Sequence, residues 1–241
     1  MLNFNFKRDL VGFSMMSTTR QDLSRSIEDY LKIIYRLQAE SGSAQTSAIA
    51  EGLSIAPPSV SGMVKRLAES GLLEYAPYKG VQLTETGQRQ ALMVLRRHRI
   101  IELYLIAQLG YDWHNVHGEA ERLEHAVSDD LIERMDHALG RPSHDPHGAP
   151  IPTADGEIET THCVPMTDIN VGSAGRLRMV GDKDPERLRF IASLGLRPGV
   201  QFDVIARQPF HGPLTIRFDG DREEVIGYEL ANSLQCEKVR R

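Results

Sequence analysis

Three things are scarce in this 241-residue sequence, and each scarcity removes a class of function. No apolar run approaches the length needed to cross a bilayer, so no membrane partner is expected. Cysteine occurs twice, as Cys163 and Cys236, with neither metal-ligand spacing nor a disulfide framework. Basic charge is not in excess: 28 Lys and Arg face 33 Asp and Glu, for a formal net charge of −5. That argues against indiscriminate coating of nucleic acid, but not against binding one DNA site. The first residues lack the long apolar core and small-residue cleavage site of a secretory signal, so a cytoplasmic location is the default. His-Glu-x-x-His is absent, as are paired Glu-x-x-His motifs, and neither cysteine has a nucleophile motif around it. An enzyme is not expected.

What is present centres on His117-Gly-Glu-Ala-Glu-Arg-Leu-Glu-His125. Read as a helix, it stacks His117, Glu121, Glu124 and His125 along one side. Imidazoles and carboxylates converging on one side suit a divalent first-row metal. The plainer alternative is a solvated polar face. His98 and Glu102, four apart, form a second pair one helix earlier. Asp29 adds an acidic residue far upstream, although helix-start electrostatics would also explain it. The run His144-Asp-Pro-His147 is set aside, because a proline-broken loop does not pre-arrange ligands.

Taken in order, residues 1–21 lack periodicity and are expected to form a mobile extension. Ile27, Tyr30, Leu31, Ile34 and Leu37 recur at three and four, the stripe of a packed helix that Ser24 or Ser26 could cap. A helix capped by Thr46, a turn at Ser54-Ile-Ala-Pro, and a second helix from Pro58 to Gly71 make a helix-turn-helix pattern. Ser59, Ser61 and Gly62 are short enough to approach base edges, and Lys65 and Arg66 can reach phosphates. A hairpin over 72–83, with Lys79 at its tip for another phosphate, makes the unit a winged helix. Its charge is balanced, with seven basic and seven acidic residues from Arg20 to Lys79, so tight binding requires two copies or a neutralising cation.

A long helix then reaches about Leu109. Leu92, Leu95, Ile100, Leu103, Tyr104 and Ile106 give it more than one apolar face, which suggests a subunit interface. A helix capped by Ser128 ends at Gly140, and 141–160 reads as a linker. Beyond 161 the pattern turns to short strands, with helices at 184–194 and 227–234, as in a small barrel. The expected fold is mainly α with a small β C-terminal domain. Its parts are a winged helix over 22–83, a helical metal-binding and dimerisation domain over 84–140, the linker, and an SH3-like barrel over 161–241.

Ile27-Glu-Asp-Tyr-Leu, the winged helix, Arg97-His98, Val116-His117, Glu121-Arg-Leu-Glu-His125 and Gly148-Ala-Pro-Ile-Pro152 together resemble the diphtheria-toxin-repressor family, on its manganese-responsive branch. The C-terminal part is similar to the domain that longer members share with ferrous-iron transport accessory proteins. The resemblance implies a metal-dependent repressor of metal-uptake genes, acting as a homodimer on a palindromic operator. It implies a primary metal site of Asp29, Glu121, Glu124 and His125. A second would use His98, Glu102 and His117, completed by Asp184, with Glu186 as fallback. Iron-responsive relatives carry Met and Cys where this chain has Asp29 and Glu121. Hard oxygen donors favour Mn²⁺, with Fe²⁺ next and other divalent first-row metals able to substitute in vitro. Lys32 replaces a glutamate of the paired-metal regulators, which implies two separated sites. An iron-responsive repressor and a winged-helix regulator answering to an organic ligand are the alternatives. Without metal, the primary carboxylates are expected to repel by roughly 4 kcal/mol per pair at ~4 Å and an effective dielectric near 20, which would hold the domains apart.

Overall fold

A computed structural model describes residues 23–76, 80–160, 162–181 and 184–239. Helix α1 (Arg25–Ser41) forms on the expected stripe. Tyr30, Leu31 and Ile34 are buried, and Gly42 closes the helix in the left-handed region. Ile34 is fully buried, so truncating it to alanine would cost about 2–5 kcal/mol. Ser24 takes the N-cap place, but its hydroxyl makes no capping bond. Thr46, expected as a cap, is instead the first residue of α2 (Thr46–Gly52). Helix α3 (Pro57–Glu69) tolerates Pro57 because the first amide of a helix has no partner inside it. Val60, Val64 and Leu67 pack it against the first two helices.

Strands β1 (Leu73–Ala76) and β2 (Gly80–Leu83) pair antiparallel from Leu73↔Leu83 to Ala76↔Gly80. The sheet is seated on the next helix by Gly87. A Cβ there would lie 2.0 Å from the Leu72 carbonyl oxygen, so only glycine allows this approach. The expected wing tip, Lys79, and the 1–21 extension lie outside the described residues.

Helix α4 (Glu85–Leu109) is 25 residues long, and Thr84 Oγ1 accepts from the Gly87 amide to cap it. Leu92, Leu95 and Ile100, expected at a subunit face, are buried within the chain. The apolar side chains left exposed nearby are Leu109, Tyr111 and Leu131. Helix α5 (Val116–Leu123) ends earlier than expected, so Glu124 is its C-cap and His125 lies in the following turn. Helix α6 (Asp129–Ala138) is capped by Ser128 as expected.

The C-terminal part is an antiparallel sheet around a separate core that includes Leu177, Val204, Ile216 and Leu234. Its strands are β3 (Val164–Pro165), β4 (Ala174–Met179), β5 (Gln201–Arg207), β6 (Leu214–Phe218), β7 (Arg222–Ile226) and β8 (Gln235–Val239). Their order is β3-β8-β4-β5-β6-β7. Helices α7 (Pro185–Ser193) and α8 (Tyr228–Ser233) connect them. Strand β8 was not expected, yet it sits inside the sheet. Among the described residues no β3–β7 pairing closes the barrel. No described helix is long and apolar enough to cross a membrane.

Candidate metal centre

Helices α1 and α5 both pack on α4. Their polar side chains meet there. Asp29 from α1, Glu121 from α5, and Glu124 and His125 from the end of α5 bring one ligand atom each within 4.8 Å of one another. His125 Nε2 lies 2.9 Å from Asp29 Oδ1 and 3.3 Å from Glu124 Oε1. His125 Nδ1 is held by Glu28 Oε2 at 2.6 Å, and Glu28 Oε1 accepts from Arg97 Nη2 at 2.5 Å. Glu28 therefore fixes the imidazole ring from behind, with Nε2 toward the cluster, as carboxylates behind metal-ligating histidines do. The sequence shows Glu28 only as part of the Ile27-Glu-Asp-Tyr-Leu motif, and nothing local reports this contact.

The expected repulsion among the carboxylates is offset inside the protein. Lys32 Nζ donates to Glu121 Oε1 at 2.8 Å and also to Glu124 Oε1. The same ammonium holds the Glu121 carboxyl below its ordinary value against burial, which works the other way. Burial pulls the His125 imidazole down, but Asp29, Glu28 and Glu124 outweigh it and raise it to about 9. Lys32 and His125 thus both sit among these carboxylates.

The second expected group also assembles. His98 Nε2 lies 3.0 Å from Glu102 Oε1 and 3.0 Å from His117 Nδ1, and His117 Nδ1 lies 3.1 Å from Glu102 Oε1. Burial lowers the His98 imidazole, but Glu102 and Glu124 raise it to about 9. Glu124 joins the two groups. Its Oε1 faces Lys32 and His125, while its Oε2 accepts from His98 Nδ1 at 2.5 Å.

Asp184 is not brought into this group. It is exposed and caps α7, its Oδ1 accepting from the Glu186 and Arg187 amides at 3.0 and 3.1 Å. Glu186, the fallback, is also exposed. The loop that was set aside does arrive. Asp145 and His147 are buried beside Glu102, and the three form a further ligand-type group. The proline-broken loop is pre-arranged because α4 and the loop itself clamp it. Asp145 Oδ1 accepts from the His147 and Ala149 amides at 2.8 and 2.9 Å. Arg99 Nη1 donates to the Pro150 carbonyl at 2.5 Å, and Arg96 Nη1 to that of Pro152 at 3.0 Å. Gly148 permits the seat: with φ +90, a Cβ there would lie 1.8 Å from the Arg178 carbonyl oxygen. His147 Nε2 bonds the Trp113 carbonyl oxygen at 3.0 Å, which turns Nδ1 toward Glu102. The Asp-Pro-His-Gly turn and the Arg96/Arg99 pair were the available signals.

The donor atoms fit a hard divalent cation, being carboxylate oxygens and imidazole nitrogens without thiolate or thioether. Five buried side-chain atoms lack hydrogen-bond partners among the described residues, and three of them are ligand-type atoms of these groups: His125 Nε2, Glu102 Oε2 and His147 Nδ1. The last two lie 3.7 Å apart. Unpaired buried polar atoms are costly; one cation beside His125 and another between Glu102 and His147 would satisfy them. Glu102 itself is held well below the ordinary carboxylate range by His117, His147 and His98, against its burial, so it is an anion ready to ligate.

On α3, Ser59, Ser61, Gly62, Lys65 and Arg66 are all exposed, and a Cβ on Gly62 would meet nothing within 4 Å. That surface is free for a groove.

Comparison with known proteins gives a consistent picture. The profile of the iron-dependent repressor N-terminal DNA-binding domain matches residues 22–81. That of the iron-dependent repressor metal-binding and dimerisation domain matches 84–153, and that of the FeoA domain matches 164–238. The diphtheria toxin repressor of Corynebacterium efficiens is 32% identical over 229 residues, which cover 91% of this chain and 98% of that protein. The iron-dependent repressor IdeR of Mycobacterium tuberculosis is 30% identical over 230 residues, covering 90% and 99%. A solved manganese-dependent transcriptional repressor in complex with manganese superposes with a TM-score of 0.80. It is 36% identical and covers 88% of this chain and all of that one.

Proposed function

We propose that this chain, a member of the diphtheria toxin repressor family of metal-dependent DNA-binding transcriptional repressors, answers to Mn²⁺ and acts as a homodimer on a palindromic operator of metal-uptake genes. The observation that carries the reading is the four-residue group shared between α1 and the end of α5. Its donors are three carboxylates and one imidazole, a set that suits manganese better than a site with thiolate or thioether would. Asp29, Glu121, Glu124 and His125 would hold a divalent cation, which would supply positive charge between α1 and the end of α5.

The chain's own residues do the rest. Asp29 belongs to the helix that packs on the recognition unit, while Glu121, Glu124 and His125 belong to the unit that carries the exposed Leu109, Tyr111 and Leu131. Fixing Asp29 against them fixes the spacing of two α3 helices in a dimer, about one DNA turn apart for a palindrome. Ser59, Ser61 and Gly62 then face base edges, and Lys65 and Arg66 face phosphates. Glu124 extends the contact to His98 and Glu102, where Asp145 and His147 offer further donors for a second ion.

Iron is the second reading, favoured by the iron-dependent mycobacterial relative. The two separate in one experiment. A labelled duplex from the chain's own upstream region is titrated in chelator, then with Mn²⁺, Fe²⁺ or Zn²⁺ added back. The expected outcome is binding with Mn²⁺ that fails for Asp29→Ala. Equal binding in chelator and in metal would sink the reading, and a response to Fe²⁺ alone would replace manganese with iron.

A further inference from the structure

The proposed function leaves the charge of Lys32 without a role. Lys32 follows Asp29 by three residues on α1, so the two share one face of the helix. Its side chain is only 6% exposed. An ammonium is strongly hydrated in water and tolerates burial only when well paired. Here the pairing is with Glu121 Oε1 and Glu124 Oε1, two carboxylates of the four-residue group. Helix α1 therefore brings both an anion and a cation to the same cluster.

We propose that Lys32 is a tethered cation that competes with the divalent ion for Glu121 and Glu124, and so sets the metal concentration at which the cluster fills. The inference rests on the reading of that cluster as a metal site. An ion held by Glu121 and Glu124 draws on carboxylates that the ammonium already neutralises. The tether keeps the ammonium at high effective concentration, so the ion's net gain is smaller than its ligands alone would give. The same contact holds α1 to the end of α5 when the ion is scarce. A cleft of about 340 Å³, lined in part by Asp29, Lys32, Arg36, His117 and Glu121, opens beside the cluster. It gives a displaced ammonium a path to water.

The test compares the full-length wild type with Lys32→Met, which keeps length and loses charge, and Lys32→Arg, which keeps charge. Mn²⁺ affinity is measured from the resonance signal of free Mn²⁺, and thermal stability is measured in chelator. Lys32→Met is expected to bind Mn²⁺ tighter by about tenfold or more and to melt lower in chelator, with Lys32→Arg near the wild type. A merely structural lysine would lower stability without tightening the metal. Unchanged or weaker affinity in a folded Lys32→Met overturns the proposal. Should that variant not fold, reductive methylation of Lys32 in the wild type decides. Slow labelling in chelator and fast labelling with Mn²⁺ supports displacement, and equal rates overturn it. Loss of affinity in Asp29→Ala without a gain in Lys32→Met removes this inference and leaves the metal site standing. A wild type that binds no Mn²⁺ removes both.

Discussion

At one end of the carboxylate–imidazole run, the ligand-type side chains stand on or just beyond helices; at the other they hang from a loop. Asp29, Glu121, Glu124 and His125 take their places from α1 and α5. Asp145 and His147 take theirs from an Asx-type turn clamped by arginines of α4. The first end joins the recognition unit to the helical unit and carries its own cation in Lys32. The second end joins the helical unit to the C-terminal sheet, through Gly148 against β4 and Trp113 against the sheet's core. Glu124 and Glu102 link them. On the proposed function, the helix-borne end would switch DNA binding and the loop-borne end would adjust it.

Removing the link between the ends should have the largest effect. Glu124→Ala deletes a member of the first group and the partner of His98, so Mn²⁺ affinity should fall by more than about 100-fold and metal-dependent DNA binding should vanish. Circular dichroism should show the helices retained. Survival of the DNA response would break the comparison at its centre and favour an organic effector.

His147→Ala touches only the loop-borne end. It should raise the Mn²⁺ concentration needed for half-maximal DNA binding by about tenfold, without abolishing binding, and remove one ion per chain from the stoichiometry. A loss as complete as that of Glu124→Ala would mean that both ends form one switch.

A pH series in chelator sharpens the comparison further. His98 and His125 are raised from 6.5 to about 9 in the folded chain by the surrounding carboxylates. Their contribution to stability is therefore fully present below about pH 6.5 and is lost as the pH rises through about 9. Melting temperature should decline across that window, and the decline should shrink in Glu124→Ala, which removes a carboxylate from both histidines. A flat profile would contradict the pairing.

The smallest effect concerns the other surface. Lys65→Ala should weaken operator binding evenly across sequences and reduce the salt dependence by about one counterion per protomer, with Mn²⁺ affinity unchanged in the absence of DNA.

Much of this molecule was legible in sequence because helices write their contacts at regular spacing. The stripe of α1, the helix-turn-helix and the pairs His98/Glu102 and His117/Glu121 all obey the three-four rule. Four features were not legible. Strand β8 reads Gln-Cys-Glu-Lys-Val, with Cys236 its buried residue, so alternation is too weak to mark it after α8. Glu28 and Arg97 meet across 69 residues of sequence, and no local pattern reports such a pair. The resemblance implied Asp184 as an acidic ligand, but in the fold this aspartate before a proline-started helix caps α7. The loop residues Asp145 and His147 were discounted on the proline alone. The glycine and the two arginines that make the loop rigid were in view, and their partners were not.

On the proposed function, metal at the α1–α5 group and DNA at α3 share one coupling energy. The most direct test measures Mn²⁺ affinity of the full-length chain with and without saturating operator duplex. Reciprocity requires that DNA tighten the metal by the same factor by which metal tightens DNA, a factor of order 5–150 for typical coupling, and that Asp29→Ala abolish the difference. An Mn²⁺ affinity unmoved by operator DNA would rule out this coupling.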